Sequence, residues 1–442
     1  MEQITAVKGM NDLLPAELAR WHFIEDLART LFEDYGFGEV RTPVLEKTEL
    51  FKRGVGEGTD IVGKEMYTFE DKGGDSTSGV MVSLRPEGTA PAVRAGIEHN
   101  LYGQEPLARW YYLGAMFRRE RQQKGRYRQF FQVGAEIYGV DNPYADAELL
   151  ALADTFLKRL EIGEITLELN SLGDAACRPK YVEALIGYLK GNAPALCAEC
   201  QRRLETNPLR VLDCKNAGCK AIAAGAPAME GYLCEPCATH FTTLKGLLDE
   251  VGVKYVVNPR IVRGLDYYTR TVFEFISHSQ GEGGLGSQNT VCAGGRYDNL
   301  VKSLGGPSVP AIGFACGLDR LAILLEGTGR KFGTQPALFV TSIGEAARRK
   351  ALVIAAALRG KGLYVEQDLR GGSVKAQMKR ADRLRARFSL VLGESELASG
   401  KAQLKRMADG SSRDVTLSTL YDELQKALAE PVPAPAASPQ SP

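Results

Sequence analysis

The chain has 442 residues, a formal net charge of +1, 44% hydrophobic residues and 25% charged residues. These values are typical of globular proteins with two or three domains. They exclude a strong overall attraction for polyanions, so a nucleic-acid partner would need local basic patches. No apolar run approaches the roughly 20 residues of a membrane helix, and the N-terminus lacks the layout of a secretory signal. We therefore expect a cytoplasmic protein without a membrane partner.

The first elements in the chain are a helix and a short strand. An amphipathic segment begins at Pro15 and ends at Gly36, as a helix should. The run Arg41–Leu45 then favours a strand. Because Pro43 lacks a backbone donor, this strand should lie at a sheet edge or a subunit boundary.

Residues 85–89, RPEGT, predict the end of a strand and the start of a helix. This pattern exposes the acid of Glu87 and the hydroxyl of Thr89 at the mouth of the helix. A helix cap and a ligand contact explain these two side chains equally well.

The segment from Arg109 to Gly139 predicts two antiparallel strands joined by a long loop that is broken at Gly125. The loop is cationic and carries Arg118, Arg119, Arg121, Lys124, Arg126 and Arg128. Because these cations cannot neutralise one another, we expect an anion among them, and arginine suits phosphate. A solvated surface hairpin is the alternative. Gln132 and Glu136 share one face of the second strand, which indicates a second ligand beside the phosphate.

Residues 174–258 are rich in helix-forming residues and in cysteine, without a catalytic-looking cluster, and we interpret them as an insertion. Paired Cys-x-x-Cys sequences in a cytoplasmic chain suit tetrahedral zinc, and the six candidates are Cys197, Cys200, Cys214, Cys219, Cys234 and Cys237. Six thiols exceed one site, so no ligand set follows, and a reduced thiol cluster is the alternative. A catalytic metal is not expected, because thiolates would fill every coordination position. Cys177, Cys292 and Cys316 have no partner at motif spacing.

Three further blocks follow the insertion. Arg263–Phe275 predicts a strand dense in aromatic residues and arginines, and Ala293–Val301 reads AGGRYDNLV. In Ala311–Glu326 a Gly-rich strand passes into a helix that carries Asp319 and Arg320. A salt pair buried in the helix is the alternative reading of that dipeptide.

The C-terminal part alternates between strand and helix patterns from Gln335, which predicts a parallel sheet with crossover helices in a separate α/β domain at 335–430. Its helix at Ser373–Arg387 is basic, so nucleic-acid contact competes with a plain solvated face. Residues 431–442 are rich in Pro, Ala and Ser and should be disordered.

Taken together, the motifs resemble those of bacterial-type histidyl-tRNA synthetases, which are class II aminoacyl-tRNA synthetases. GFGEVRTPVLE resembles the first class motif, FRRERQQKGRYRQFFQVGAEIYG the second and GFACGLDRL the third. RGLDYYTRTVFEF and AGGRYDNLV resemble blocks peculiar to the histidine enzyme. The resemblance implies a class II catalytic domain of α+β type at 1–328, built on an antiparallel sheet and carrying the helical insertion. The α/β domain that follows resembles the class II anticodon-binding domain.

The resemblance also implies a histidine site. Glu87 and Thr89 would hold the α-amino group with help from Gln132, while Glu136 and Tyr268 would bond the imidazole nitrogens. The implied histidine-binding set is Glu87, Gly88, Thr89, Gln132, Glu136, Arg263, Tyr267 and Tyr268.

An adjoining ATP site is implied in the same way. Arg118 would bind the α-phosphate, Glu120 the adenine region, Arg126 the outer phosphates and Arg320 the γ-phosphate. Arg263 would face the α-phosphate where other class II enzymes use a metal ion. The implied catalytic residues are therefore Arg263, Arg118 and Arg320, with no metal among the site residues, while Mg²⁺ should accompany the β- and γ-phosphates.

Histidine tRNA is the implied macromolecular partner, with Gln123 and Arg128 at its acceptor end. A homodimer is also implied, with Pro43 at its interface. The residue chemistry agrees, because in-line attack of a carboxylate on the α-phosphate needs fixed guanidinium groups rather than a protein nucleophile. Two rivals remain: a non-catalytic, synthetase-like regulatory subunit of histidine biosynthesis, and a general RNA-binding protein.

Overall fold

The computed structural model describes residues 3–72 and 79–430. The chain divides into two compact units after Lys331. Within the described ranges, no helix combines the length and the apolar character needed to cross a bilayer. The predicted tail at 431–442 lies outside the described residues.

The described part of the first unit contains eleven strands. In chain order they are β1 (Gly38–Glu39), β2 (Leu45–Lys47), β3 (Thr68–Asp71), β4 (Val80–Leu84), β5 (Ala108–Phe117), β6 (Gln129–Tyr138), β7 (Ile165–Ser171), β8 (Tyr255–Val257), β9 (Thr269–Ser277), β10 (Thr290–Arg296) and β11 (Ala311–Gly317). Eight form one sheet in the order β1-β5-β6-β11-β10-β9-β7-β8, and β2-β4-β3 form a smaller one. The large sheet is antiparallel except at its two edges, where β1 joins β5 and β8 joins β7 in parallel.

The helices of the first unit surround this sheet. They are α1 (Pro15–Asp34), α2 (Thr48–Val55), α3 (Thr89–Glu98), α4 (Leu101–Gln104), α5 (Pro143–Leu160), α6 (Arg178–Gly191), α7 (Ala198–Thr206), α8 (Ala217–Ala224), α9 (Glu235–Glu250), α10 (Leu300–Ser303) and α11 (Leu318–Gly327). Phe32 of α1 is fully buried and meets Tyr111, Phe156 and Phe314 edge-on, with ring centroids 5.5–5.9 Å apart. These rings tie α1 and α5 to the centre of the sheet.

The central hairpin is confirmed, because β5 and β6 pair along their full length from Ala108 opposite Tyr138 to Phe117 opposite Gln129. The predicted strand at Arg41–Leu45 is wrong, since residues 41–44 connect β1 to β2. Here the guanidinium of Arg85, rather than a neighbouring strand, donates to the carbonyl and hydroxyl oxygens of Thr42, at 2.9 and 3.0 Å.

The predicted strand at Arg263–Phe275 starts late, at Thr269. Residues 263–268 form turns before it, and Arg270 adopts a left-handed φ of 47°. The side chains predicted to bind ligand in this block therefore come from the turns and not from the strand.

The second unit is a mixed sheet with helices. Its helices are α12 (Glu345–Gly360), α13 (Val374–Arg383), α14 (Glu394–Ser399) and α15 (Leu420–Ala429), and its strands are β12 (Leu338–Ser342), β13 (Val365–Gln367), β14 (Phe388–Leu392), β15 (Lys401–Arg406) and β16 (Ser412–Thr416). Strands β13-β12-β14 are parallel as predicted, whereas β15 and β16 add an antiparallel edge that the sequence reading lacked. The basic helix predicted to reach Arg387 ends at Arg383, because the backbone turns at Arg385 with a left-handed φ of 56°.

Candidate active site

A cleft of about 610 Å³ in the first unit brings most of the predicted site residues together. Its walls come from β5, β6, β9, β10 and β11, from the start of α3 and from the insertion. Ten predicted residues line it: Glu87, Thr89, Arg118, Glu120, Arg126, Gln132, Arg263, Tyr267, Tyr268 and Arg320. Arg118 and Arg263 therefore face one cavity.

Glu87 lies at one end of the cleft and also caps helix α3. Its two carboxylate oxygens accept backbone N–H groups of Thr89 at 2.7 Å and of Ala90 at 3.0 Å. Burial raises the pKa of Glu87 even though these donors oppose the shift. The cap is therefore real, and it also fixes an acid at the cleft surface.

Glu136 is completely buried behind the cleft wall and does not line it. It accepts hydrogen bonds from Thr89 Oγ1 at 2.8 Å and from the Tyr297 hydroxyl at 2.5 Å, and both donors belong to residues that line the cleft. The carboxylate lies over Gly313, its neighbour across the β6–β11 pairing, where a Cβ would fall 1.4 Å from Glu136 Oε2. Burial raises the pKa of Glu136 to about 8.

One polar atom of the cleft lacks a partner. Gln132 Oε1 is buried and has no hydrogen-bond partner among residues 3–72 and 79–430. The Gln132 side chain lines the cleft. Since buried polar groups are nearly always paired, this oxygen is a candidate contact for a polar ligand.

Arg263, Tyr267 and Tyr268 form a further part of the cleft wall. The rings of Tyr267 and Tyr268 lie 4.7 Å apart, and the Arg263 guanidinium lies over Tyr268 at 5.6 Å. Arg263 also pairs with Glu274, whose other oxygen accepts the Thr290 hydroxyl at 3.0 Å. These contacts hold the guanidinium in place, as a group that must align a reacting phosphate requires.

The cationic part of the cleft is formed by arginines that lower one another's pKa. Burial, followed by the charges of Arg126 and Arg118, lowers the pKa of Arg320 to about 10. Arg320 donates to the carbonyl oxygens of Gly125 and Thr290, at 3.0 and 2.5 Å, so it does not form the salt pair with its neighbour considered above. Such mutual repulsion favours a polyanionic ligand.

The remaining predicted residues lie away from the cleft surface. Gly88 precedes α3, and a Cβ there would fall 2.3 Å from the ring of Tyr112, so this position serves packing. Gln123 is exposed on the hairpin loop. The Arg128 backbone N–H donates to Gly9 O at 2.8 Å, and its side chain packs against that glycine.

Several residues that line the cleft were not predicted from the sequence. Tyr297 lies in the AGGRYDNLV block, but its hydroxyl donates to Glu136, which is 161 residues away in the sequence. The insertion, expected to lack catalytic-looking clusters, contributes Arg203, Arg210, Asp213 and Lys215 to the wall. Burial and then the charges of Arg126 and Arg320 lower the pKa of Lys215, which places it beside the cationic part of the cleft.

The insertion also contains two groups of metal-type side chains. Cys197, Cys200, Cys214 and Cys219 form one, and Asp174, Cys177, Cys234 and Cys237 form the other. Cys177, which has no cysteine partner at motif spacing, is completed by an aspartate three residues earlier and a distant Cys-x-x-Cys pair. Of these eight side chains, Cys214 is the one that lines the cleft.

Known proteins agree with this geometry over nearly the whole chain. Residues 9–321 match the family described as Histidyl-tRNA synthetase, and residues 337–427 match the Anticodon binding domain. A histidine–tRNA ligase of Trichlorobacter lovleyi is 52% identical over 94% of this chain and 96% of its own. One of Anaeromyxobacter sp. (strain K) is 52% identical over 95% and 98%. The crystal structure of apo S. aureus histidyl-tRNA synthetase is 35% identical, with a TM-score of 0.78, covering 96% of this chain and 100% of that one.

The fold is that of an aminoacyl-tRNA synthetase, an enzyme of the ligase class. The chain belongs to the histidyl-tRNA synthetase family. The resemblance seen in the motifs, the α+β catalytic fold and the C-terminal anticodon-binding type of domain are thereby confirmed.

Proposed function

We propose that the chain activates L-histidine with ATP to histidyl-adenylate in this cleft and transfers the histidine to the 3′ end of histidine tRNA. The observation that supports this most strongly is the division of one cavity into two parts. One part is a cluster of mutually repelling arginines, and the other, the floor of the cleft, contains Glu87 and the buried, unpartnered amide oxygen of Gln132. A triphosphate suits the first and a small zwitterion suits the second.

The floor is suited to the α-amino group of histidine. An ammonium is a donor only, so it needs acceptors, and Glu87 and the orphaned Oε1 of Gln132 supply them. The Thr89 hydroxyl already donates to Glu136, so we assign Thr89 to positioning that acid.

The imidazole would lie between Tyr268 and the Glu136–Tyr297 pair. A ring with two nitrogens offers one donor and one acceptor, which an acid and phenol groups complement. Glu136 lies behind Tyr297 and accepts its hydroxyl. The acid would therefore either bond a ring nitrogen in place of that hydroxyl or hold the hydroxyl that bonds the nitrogen. An apolar side chain here would leave buried polar groups unsatisfied, which rejects it without an editing step.

The arginines would hold ATP and stabilise charge as pyrophosphate leaves. Arg118 donates through Nε to the Pro86 carbonyl at 2.9 Å and lies over the Phe130 ring at 5.2 Å, so its position is fixed before ligand binds. Arg118 and Arg263 would flank the α-phosphate. Arg126 and Arg320 would bind the outer phosphates. Glu120 pairs with Arg126 and would be released to the adenine region when phosphate takes that arginine.

Mg²⁺ would enter with the nucleotide. The described cleft residues offer no set of three close carboxylates, and Glu274 is already paired with Arg263. Bridging β- and γ-phosphate oxygens with few protein ligands is the usual mode of Mg²⁺. Its contribution would be to neutralise the departing pyrophosphate.

The hairpin loop and the second unit would bind tRNA. Gln123 is exposed, so it is available to the acceptor end, and Arg128 lies in the same loop. A cytoplasmic homodimer fits the exposed apolar side chains of Val44 and Leu45 beside Pro43. The rival regulatory subunit is less favoured, because the cationic part of the cleft is intact and the second unit has the anticodon-binding type of fold.

The test is ATP–pyrophosphate exchange by the Arg263→Ala variant. We expect exchange to fall by at least ~100-fold, the scale of a lost transition-state donor, while histidine binding by calorimetry stays close to wild type. Arg109→Ala is the matched control, since it also breaks an arginine–glutamate pair, with Glu148 at 2.9 Å, but lies outside the cleft. Equal exchange by both variants would contradict the assigned role.

A further inference from the structure

We propose that the insertion binds two structural zinc ions in tetrahedral sites. The cysteine site consists of Cys197, Cys200, Cys214 and Cys219. The mixed site consists of Asp174, Cys177, Cys234 and Cys237. This inference does not rest on the proposed function, because its test reads metal content rather than activity.

The ligand atoms have the spacing of single-ion sites. In each group they all lie within 4.8 Å of one another. Tetrahedral zinc with Zn–S bonds of about 2.3 Å separates its sulfurs by roughly 3.8 Å, and Cys197 Sγ lies 4.0 Å from Cys214 Sγ. In the mixed site, Asp174 Oδ1 lies 3.5 Å from Cys177 Sγ and 3.8 Å from Cys234 Sγ.

Helix N-termini supply the ligands of both sites in the same way. In the cysteine site, Cys197 precedes α7 and Cys200 lies in its first turn, while Cys219 lies in the first turn of α8. In the mixed site, Cys177 precedes α6 and Cys234 precedes α9. The starts of four helices thus bring these ligands together in two compact groups.

Burial gives a second, independent reason for metal. Cys200 and Cys219 are fully buried, and Cys177 and Cys237 are at most 3% exposed. All nine cysteines of the chain are free thiols, so no disulfide accounts for this convergence. Bound metal at such buried thiols commonly supplies folding energy.

The donor sets select zinc among common metals. Three or four soft thiolates at tetrahedral spacing suit zinc, whereas the oxygen-preferring Mg²⁺ and Ca²⁺ do not. An iron–sulfur cluster is disfavoured, because its thiolates bind separate irons and stand further apart than these. Since each set fills four positions, neither ion is open to substrate, and both are structural.

The cysteine site adjoins the cleft, because one of its ligands also lines the cleft wall. Asp213, Cys214 and Lys215 line the cleft, and Cys214 is also a ligand. Asp213 accepts from Arg210 at 2.7 Å, so this short segment forms an ordered part of the wall. Zinc at the cysteine site would therefore fix the side of the cleft where Lys215 lies.

The test is elemental analysis of the full-length chain, purified without added chelator and dialysed against metal-free buffer. We expect about two zinc ions per chain, one lost in Cys200→Ser and the other in Cys237→Ser. Cys316→Ala is the control and should retain both, because Cys316 is equally buried but lies in β11, outside both sites. One zinc or none in the wild-type chain, or iron in its place, would overturn the proposal.

A second measurement covers variants that fail to fold. The native wild-type chain is titrated with a mercurial thiol reagent in the presence of a zinc-binding dye. We expect zinc release to accompany modification of the insertion thiols and to approach two ions per chain. Complete thiol modification without zinc release would overturn the proposal.

Discussion

The hydroxyl of Tyr297 offers the sharpest test of histidine recognition. Tyr297 is buried, lines the cleft and donates to Glu136 Oε2 at 2.5 Å. Replacing it with phenylalanine removes the hydroxyl and leaves the ring in place. Glu136 then keeps the hydroxyl donors of Thr89 and Tyr112 and loses the bond from Tyr297.

The expected loss follows from the strength of that bond. Removing the donor leaves a buried acceptor unsatisfied, which costs about 1–3 kcal/mol and corresponds to about 5- to 150-fold in affinity. The histidine KM of Tyr297→Phe should rise by that factor in ATP–pyrophosphate exchange. The ATP KM should change little, because Tyr297 is not among the residues proposed to bind phosphate.

Tyr111→Phe is the matched control. Tyr111 is as buried as Tyr297 and donates to a carboxylate, Glu33, at 3.1 Å, but it lies outside the cleft. Both variants should lose some stability, and only Tyr297→Phe should lose histidine affinity. A histidine KM within about threefold of wild type, or an equal rise for ATP, would refute the reasoning.

Two further predictions concern pH and domain function. Burial raises the pKa of Glu136 to about 8 from 4.5, so this carboxyl contributes stability below the unfolded-state pKa that is lost as pH rises through 8. The free energy of unfolding of wild type relative to Glu136→Gln should thus fall by more than about 1 kcal/mol between about pH 5 and pH 8. Urea unfolding at fixed protein concentration measures it through Trp21 and Trp110, the two tryptophans, both in the first unit; a flat difference would count against a protonated Glu136. Truncation before Gln335 should reduce aminoacylation far more than pyrophosphate exchange, and an equal loss in both assays would mean that the second unit does not act through tRNA.

The sequence predicted correctly the elements whose partners are close in the chain. The β5–β6 hairpin follows from two alternating runs around a polar loop, and α3 begins where RPEGT predicts it. Antiparallel strands β15 and β16 were missed, because alternation of strands and helices in the preceding residues favoured parallel pairing throughout. Arg41–Leu45 was misassigned because a distant arginine, Arg85, replaces the strand partner.

The site was predictable where a motif names a residue, and not where function depends on a distant partner. Ten motif residues converge on the cleft. The placement of Glu136 behind Tyr297 depends on the β6–β11 register and on the missing Cβ of Gly313. Lys215 and the Asp174–Cys177 half of the mixed site depend on how the insertion folds back, which spacing alone does not encode.

The most direct test of the central claim is ATP–pyrophosphate exchange by the full chain with each of the twenty amino acids in turn. Because the floor of the cleft complements a ring with two nitrogens, we predict exchange with histidine alone. Exchange with a different amino acid, or none with histidine, would contradict the account.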